Sequence, residues 1–489
     1  MSLSYNSRLI MRRAKIVATI GPACESEDKL RELMLAGMDV ARINMSHGER
    51  DRHGEVIDRI RHVARDLKKS VAVMLDLSGP KIRTGNIRDG EVKLKDGDTL
   101  RITTEQIEGD AARISANYPL LPREVKPGDR ILISDGEIEL QVTDTTATEV
   151  TTRVIHGGAL GSHKGINLPG AHISIPSITE KDVVDLKFGI ARDIDLVAQS
   201  FVRNADDCRR ARELIKDLGG NAKLIAKIEK PEAIDDLTNI IDAADGVMVA
   251  RGDLAVETST ERVPVLQKKI IAAALQAEKI IITATQMLQS MIENPRPTRA
   301  EASDVSNAIL DGSDAVMLSG ETAVGRYPVE SVVIMDRIIR STEEMVTPTT
   351  NMMRESLFGR RSGSYGRAIA EAAVFASEEI GCRLIVVITR SGHMARRIAS
   401  LRPRQRIIAL TQVEKSYRQM ALLWGVEPYL FDGDAQAQGS CFEQADRALL
   451  DYRLAERGES VVVMAGQMND IVISHSMKLH RTGDLTSGA

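Results

Sequence analysis

Three charged side chains define the chemistry open to this sequence. Lys227 and Glu229 stand two residues apart in Lys227-Ile228-Glu229, and Asp253 closes Arg251-Gly252-Asp253. On an extended strand a spacing of two puts Lys227 and Glu229 on one face. Carboxylates that end neighbouring strands offer hard oxygen donors. Mg²⁺ commonly takes one or two of these and completes its shell with water and substrate, and Mn²⁺ suits the same donors. A cation beside such a centre stabilises charge on a transferring phosphoryl group or an enolate. The competing reading of the same residues is a structural salt-bridge network. Polar residues also close most other apolar runs: Arg42 and Asn44 to His47, Asp76 followed by Lys81 and Arg83, and Thr285. That repetition favours chemistry over a network. Arg42, Arg83 and Lys164 are candidates to converge on polyphosphate, for which the guanidinium fork is well matched. His47 reads equally as a base, a nucleotide contact or a hydrogen-bonded structural histidine. Gly161-Ser162-His163-Lys164-Gly165 lacks the spacing of a phosphate loop, and no nucleophile elbow, zinc motif or dinucleotide fingerprint occurs.

Such residues need a scaffold that gathers strand ends. Apolar runs at 15–20, 40–44, 71–77, 194–200, 223–228, 247–250, 280–284 and 315–318 alternate with helical patterns at 28–36, 50–68, 180–191, 205–218, 232–243, 262–278, 299–310 and 329–344. Eight strand-then-helix units specify an α/β fold, a (β/α)8 TIM barrel, with function at the carboxyl ends of its strands. Between the third and fourth runs, residues 80–177 switch to alternating hydrophobicity with turn signals such as Asp96-Gly97 and Asp135-Gly136. This insert is expected to be a small antiparallel β barrel that acts as a lid. The barrel domain is thus split into 1–79 and 178–345. Residues 345–363 read as a linker, and 346–489 as a C-terminal α/β open-sheet domain ending in a buried strand at 461–465.

The 489 residues suit about three domains. Sixty-five Lys plus Arg against sixty-nine Asp plus Glu leave a net charge of −4, which gives no global argument for nucleic acid or an anionic membrane. No stretch approaches the ~18 apolar residues of a membrane span, nor does the start read as a signal segment, so the chain is expected to be cytoplasmic. Cys24, Cys208, Cys382 and Cys441 are widely separated and read as reduced thiols.

The motifs Thr19-Ile20-Gly21-Pro22, 41–48, 79–85, 164–169, Lys227-Ile228-Glu229, Val249-Ala250-Arg251-Gly252-Asp253, 284–288, Pro297-Thr298-Arg299-Ala300-Glu301 and 317–322 together resemble the pyruvate kinase family over nearly the whole chain. The resemblance implies Mg²⁺-dependent transfer of a phosphoryl group from phosphoenolpyruvate to ADP, giving ATP and pyruvate. Glu229 and Asp253 would hold the divalent ion and Lys227 the phosphoryl group in flight. Thr285 would position the proton for the enolate methylene, and Ala250, Arg251, Gly252 and Asp253 would hold the substrate carboxylate through backbone donors. Arg42 and Arg83 are matched to the reacting phosphates, and Asn44, His47, Arg83 and Lys164 to the nucleotide. Ser319 and Glu321 would support the site. A homotetramer is implied as well.

Members of the family that require K⁺ bind it near positions matching Asn44, Ser46, Asp76 and Leu77, with Thr at the position of Leu77 and Glu at that of Lys81. Here Lys81 offers a tethered charge in place of the ion, so K⁺ is expected not to be required. Thr389-Arg390-Ser391-Gly392-His393 follows an apolar run and opens a helical one, an anion-binding arrangement, with a helix cap at Ser391 as the plainer alternative. It resembles the family's effector site, which implies a phosphorylated activator. Two rivals stand beside this reading. A Mg²⁺-dependent aldolase or lyase would not need the insert's bases, and a silent sensor would not need to keep Lys227, Glu229 and Asp253.

Overall fold

The computed structural model describes residues 12–171, 173–345, 364–431, 441–465 and 476–484. The expected linker therefore lies almost wholly outside the described residues, as does the side chain of Cys441.

Continuous apolar runs become parallel strands because a strand covered on both faces has no polar side to show. The first three are β1 (Lys15–Thr19), β2 (Val40–Asn44) and β3 (Ala72–Asp76). The insert supplies β4 (Glu91–Lys93), β5 (Thr99–Thr103), β6 (Arg113–Ser115), β7 (Arg130–Ile133), β8 (Ile138–Thr145), β9 (Glu149–His156), β10 (Ala159–Gly161) and β11 (Ile166–Asn167). The barrel resumes with β12 (Leu196–Gln199), β13 (Lys223–Ile228), β14 (Gly246–Ala250), β15 (Ile280–Ala284) and β16 (Ala315–Leu318). The eight barrel strands close in the order β1-β16-β15-β14-β13-β12-β3-β2, all parallel.

The insert is a six-stranded sheet, β11-β7-β8-β9-β5-β6, with a separate β10-β4 pair. Its ladders are antiparallel except β5–β6, which is parallel. Closure comes from residues 82–85, which bridge to both edges. Ile166 N donates to Ile82 O at 2.8 Å on one side, and Gly85 N to Ser115 O at 2.8 Å on the other.

In the C-terminal domain β17 (Leu384–Ile388), β18 (Arg406–Thr411), β19 (Val426–Leu430), β20 (Ser460–Ala465) and β21 (Ser476–Arg481) form an open sheet, β19-β18-β17-β20-β21. Two of these depart from the sequence reading. β20 is not the last strand, because β21 pairs with it antiparallel at the edge, and β19 carries Glu427 and Pro428 where a buried run would be apolar. The helical pattern at 232–243 divides into Pro231–Asp235 and Leu237–Ala243.

The cores follow the layers. One apolar cluster lies between the barrel strands and their helices. A second fills the barrel lumen with residues such as Met74, Met248 and Met317, and continues through Leu422 and Leu423 into one face of the C-terminal sheet. The C-terminal domain therefore sits against the amino-terminal base of the barrel, leaving the carboxyl ends of the strands to the insert. No described helix is long and apolar enough to cross a membrane.

Candidate active site

Neighbouring strands bring the three charges of the sequence together. Lys227 pairs in register with Met248 and Ile228 with Val249, so Glu229 leaves β13 level with the end of β14, from which helix Arg251–Glu257 begins. Lys227 is enclosed, its side chain only 11% exposed. Its Nζ donates to Ser200 Oγ at 2.6 Å and lies 2.8 Å from Glu229 Oε1 and 3.5 Å from Asp76 Oδ1. Burial works against its charge, but Asp76, Glu229 and Asp253 outweigh burial and hold the ammonium well above the ordinary lysine range. Glu229 is raised as well, which for a carboxyl works against its charge: burial raises it, opposed by Lys227 and the Phe201 N–H and helped by Asp253. That N–H donates to Glu229 Oε2 at 2.9 Å.

Asp76 is buried at the end of β3 and answers two cations. Arg42 Nε donates to its Oδ2 at 2.6 Å, while Arg42 Nη1 donates to Thr19 Oγ1 at 2.9 Å. Burial works against its charge, yet Lys227 and Arg42 depress its carboxyl below the ordinary range. Asp253 contrasts with both buried acids. It is exposed, in the first turn of its helix, and has no hydrogen bond or ion pair among the described residues.

Among the described residues no group of three or more His, Cys, Asp or Glu is placed to hold a metal ion. Two carboxylates, one fixed and one free, fit a hard cation that takes most of its oxygens from water and substrate. Next to them the backbone is strained. Thr285 has φ +67 and Gln286 φ +53, conformations unfavourable for a β-branched residue above all. The strain is held from below. Arg251 Nη2 donates to Thr285 O at 2.7 Å, Arg251 Nε to Ala284 O at 3.2 Å, and Arg251 Nη1 to Asp304 at 2.7 Å. The Arg251 guanidinium thus supports the loop, and only its backbone is left for a ligand. Gly252 N donates to Thr285 Oγ1 at 2.8 Å, and that hydroxyl donates to Ala284 O at 2.7 Å, so the helix start and the strained loop are tied together. Farther along, Thr298 and Glu301 form a capping box whose Glu301 also accepts from Ser290, which accounts for the Pro-Thr-Arg-Ala-Glu motif. Buried Glu321 accepts from Ser319 N at 2.7 Å and Leu288 N at 3.1 Å and so ties the end of β16 to the loop after β15.

The insert contributes its cations along the seam that closes its sheet. Arg83 bridges to Gly165, Thr84 N donates to Lys164 O at 2.9 Å, and Arg83 Nη1 donates to His163 O at 3.1 Å. His47 is exposed. Partial burial, then Lys81, Arg83 and Arg42, lower its imidazole from the usual range, which places these cations around it. For Lys81, burial and the nearby Lys227 and Arg83 lower the ammonium, opposed by Asp253 and Asp76. Asn44 Oδ1 accepts from Ser46 N at 3.1 Å, and Leu77 is buried in the barrel core. Thr389 to His393 are set apart on the C-terminal domain. There the cap of helix His393–Ser400 is Gly392 at φ +75, whose N–H donates to Thr389 Oγ1 at 3.0 Å, so Ser391 is not the cap.

Comparison with known proteins decides between the readings of this constellation. The pyruvate kinase barrel domain matches residues 11–332, and the pyruvate kinase alpha/beta domain matches residues 367–477. The chain belongs to the pyruvate kinase family. A pyruvate kinase of Sporosarcina psychrophila is 42% identical over 482 residues, covering 97% of this chain and 81% of that protein. One from Staphylococcus aureus strain USA300 is 41% identical with the same coverage. The crystal structure of a pyruvate kinase from Cryptosporidium parvum superposes with a TM-score of 0.90 at 36% identity, covering 96% of both chains. The protein is thus an enzyme of the phosphotransferase class with the pyruvate kinase fold.

Sequence reasoning gave no role to Ser200, Phe201, Lys230 or Glu257. Ser200 fixes Lys227 Nζ, Phe201 fixes Glu229, and Lys230 Nζ meets Glu257 Oε1 at 2.5 Å in a buried pair. Of these only Ser200, the last residue of the run 194–200, carried a signal in its place at a strand end.

Proposed function

We propose that this enzyme transfers the phosphoryl group of phosphoenolpyruvate to ADP, giving ATP and pyruvate as in the last step of glycolysis, with Mg²⁺ and without a need for K⁺. The observation that carries the reading is the enclosed Lys227, kept charged by Asp76 and Glu229 beside the unpartnered Asp253. Mg²⁺ held by Glu229 and Asp253 would supply electrostatic stabilisation of the charge on phosphate and enolate oxygens. Lys227 stays protonated and meets the phosphoryl group as it passes from the enol oxygen to the terminal phosphate of ADP. Arg42, fixed by Asp76 and Thr19, presents its remaining donors to the same phosphate, and Arg83, His47 and Lys164 meet the nucleotide. Backbone donors at 250–253 take the substrate carboxylate, the Gly252 amide exchanging its bond to Thr285 Oγ1 for one to the substrate. Thr285 Oγ1, 2.8 Å from Gly252 N, stands beside them and positions the proton that converts enolate to pyruvate.

Lys81 feels the charges of Asp253 and Asp76, which favour its ammonium against burial, Lys227 and Arg83, and its proposed part is that of a tethered substitute for the monovalent ion. The loop from Thr389 to His393 is proposed to bind a phosphorylated activator, the assembly to be a homotetramer and the compartment the cytoplasm.

A coupled assay of pyruvate formation from phosphoenolpyruvate and ADP tests the core of this reading. Turnover with Mg²⁺ in tetramethylammonium chloride should match that in KCl. Absence of pyruvate would overturn the reaction, and large stimulation by KCl would overturn the part given to Lys81. Sugar phosphates and nucleotides added to the same assay should shift phosphoenolpyruvate saturation; a panel without effect would remove the activator site.

A further inference from the structure

Phe201 belongs to two domains at once. It follows β12 with φ +64, a left-handed backbone that an aromatic residue adopts only when its surroundings impose it. Its N–H holds Glu229 Oε2 at 2.9 Å, while its side chain packs against the apolar core of the insert, the cluster that includes Ile82, Leu168 and Ile173. Two cations flank the ring, Lys230 Nζ at 4.4 Å and Arg203 Cζ at 5.9 Å from its centroid. Each is tied to the insert in turn. Arg203 Nη1 donates to Ile173 O at 2.5 Å. Glu257 Oε1 takes both Lys230 Nζ at 2.5 Å and the insert's Asn167 Nδ2 at 2.9 Å. At the first chain crossing, Gly79 has φ +63, and a Cβ there would approach Phe201 Cβ to 3.3 Å.

We propose that Phe201 is a positioning residue that sets the Glu229 carboxylate according to how the insert is seated. The two oxygens of Glu229 have one donor each, Lys227 at 2.8 Å and the Phe201 amide. Fixing the amide therefore fixes the plane of the carboxylate and the direction in which it faces Asp253. The ring holds the amide in place, and the insert holds the ring. A seated lid thus presents the carboxylate in its metal-binding orientation, and a displaced lid releases it. The inference rests on the reading of Glu229 as a metal ligand.

The test is Mn²⁺ affinity of the full chain without substrates, measured by electron paramagnetic resonance for the wild type, Phe201→Ala, Phe201→Tyr, Lys230→Met and Glu229→Gln. Loss of the ring in Phe201→Ala should weaken Mn²⁺ by about tenfold or more, the scale seen when a partner of a metal ligand is removed. Phe201→Tyr should restore affinity to within about twofold, and Lys230→Met should weaken it by about threefold. In turnover, Phe201→Ala should lower kcat while leaving the KM for ADP unchanged. If Glu229→Gln weakens Mn²⁺ but a folded Phe201→Ala does not, the inference falls and the metal reading stands. If Glu229→Gln leaves Mn²⁺ unchanged, the metal reading itself falls. Should Phe201→Ala not fold, Lys230→Met decides: unchanged affinity overturns the inference.

Discussion

The two faces of the barrel are built from the same residue types. At the carboxyl end Arg42 grips Asp76 at 2.6 Å, and at the base Arg402 grips Asp314 at 2.6 Å. The base continues in this way, with Arg418 and Arg61 on Asp195 at 2.9 and 2.7 Å, and Arg12 on both Asp39 and Asp336 at 2.8 Å. Left-handed backbone occurs on both faces as well, at Thr285 above and at Asp193 and Glu278 below. What separates them is closure. Arg402 and Arg418 answer barrel acids across the contact with the C-terminal domain, while Arg61 and Arg12 answer acids within the barrel itself. On the upper face Asp253, Lys81 and Lys164 have no ion pair among the described residues, and Asp76 faces two cations. A network that completes itself is a joint; one left open is built to be completed by something else.

The sharpest way to break this contrast is to delete one cation from each face. Lys227→Met should lower kcat of the folded fraction by about a thousandfold or more, because its charge is needed as the phosphoryl group passes, a loss that outweighs the stability cost of leaving Asp76 and Glu229 with one partner fewer. Steady-state kinetics beside calorimetry separates the two outcomes, and normal turnover would sink the assignment. Arg402→Met should do the reverse. It strands buried Asp314, so stability should fall by about 3–5 kcal/mol, read as the urea midpoint, with kcat of the folded fraction nearly unchanged. A large loss of kcat in the folded fraction would mean that the base is not merely a joint.

The smallest effect is expected at the edge of the joint. His393 is exposed at its surface, yet partial desolvation, then Arg396 and Arg397, push it down to about 4, against an ordinary value of about 6.5. Between those values the unfolded chain takes up a proton that the folded chain refuses, so stability should fall as pH drops from about 6.5 to about 4. Above about 7 both forms are neutral and no such term exists. His393→Gln should flatten that acid slope in urea titrations; an unchanged slope would refute it.

The barrel was legible because its strands are buried on both faces and so read as unbroken apolar runs, with β2, β13, β15 and β16 falling at the expected bounds. Edge strands were not legible for the converse reason. β21 is Ser-Met-Lys-Leu-His-Arg, and its alternation carries charges because only one side pairs. At the site, Lys227, Glu229 and Asp253 could be found because position at a strand end is a sequence property. Phe201 could not, since its part depends on an amide direction and on which domain its ring enters. Arg251 shows the same limit, its neighbours in sequence giving no hint that the guanidinium turns to Asp304 and the Thr285 carbonyl.

The stitch at residues 82–85 has a thermodynamic consequence for the host. Because 82–85 pair directly with 163–166, the two ends of the insert meet. Once the insert has folded, the barrel sees the connection from β3 to helix Glu180–Ala191 as a short loop rather than one of about a hundred residues. Logarithmic scaling of loop closure from about 100 to about 20 residues puts the difference at about 1.4 kcal/mol of chain entropy, so the barrel can carry a whole extra domain at little cost to its own stability.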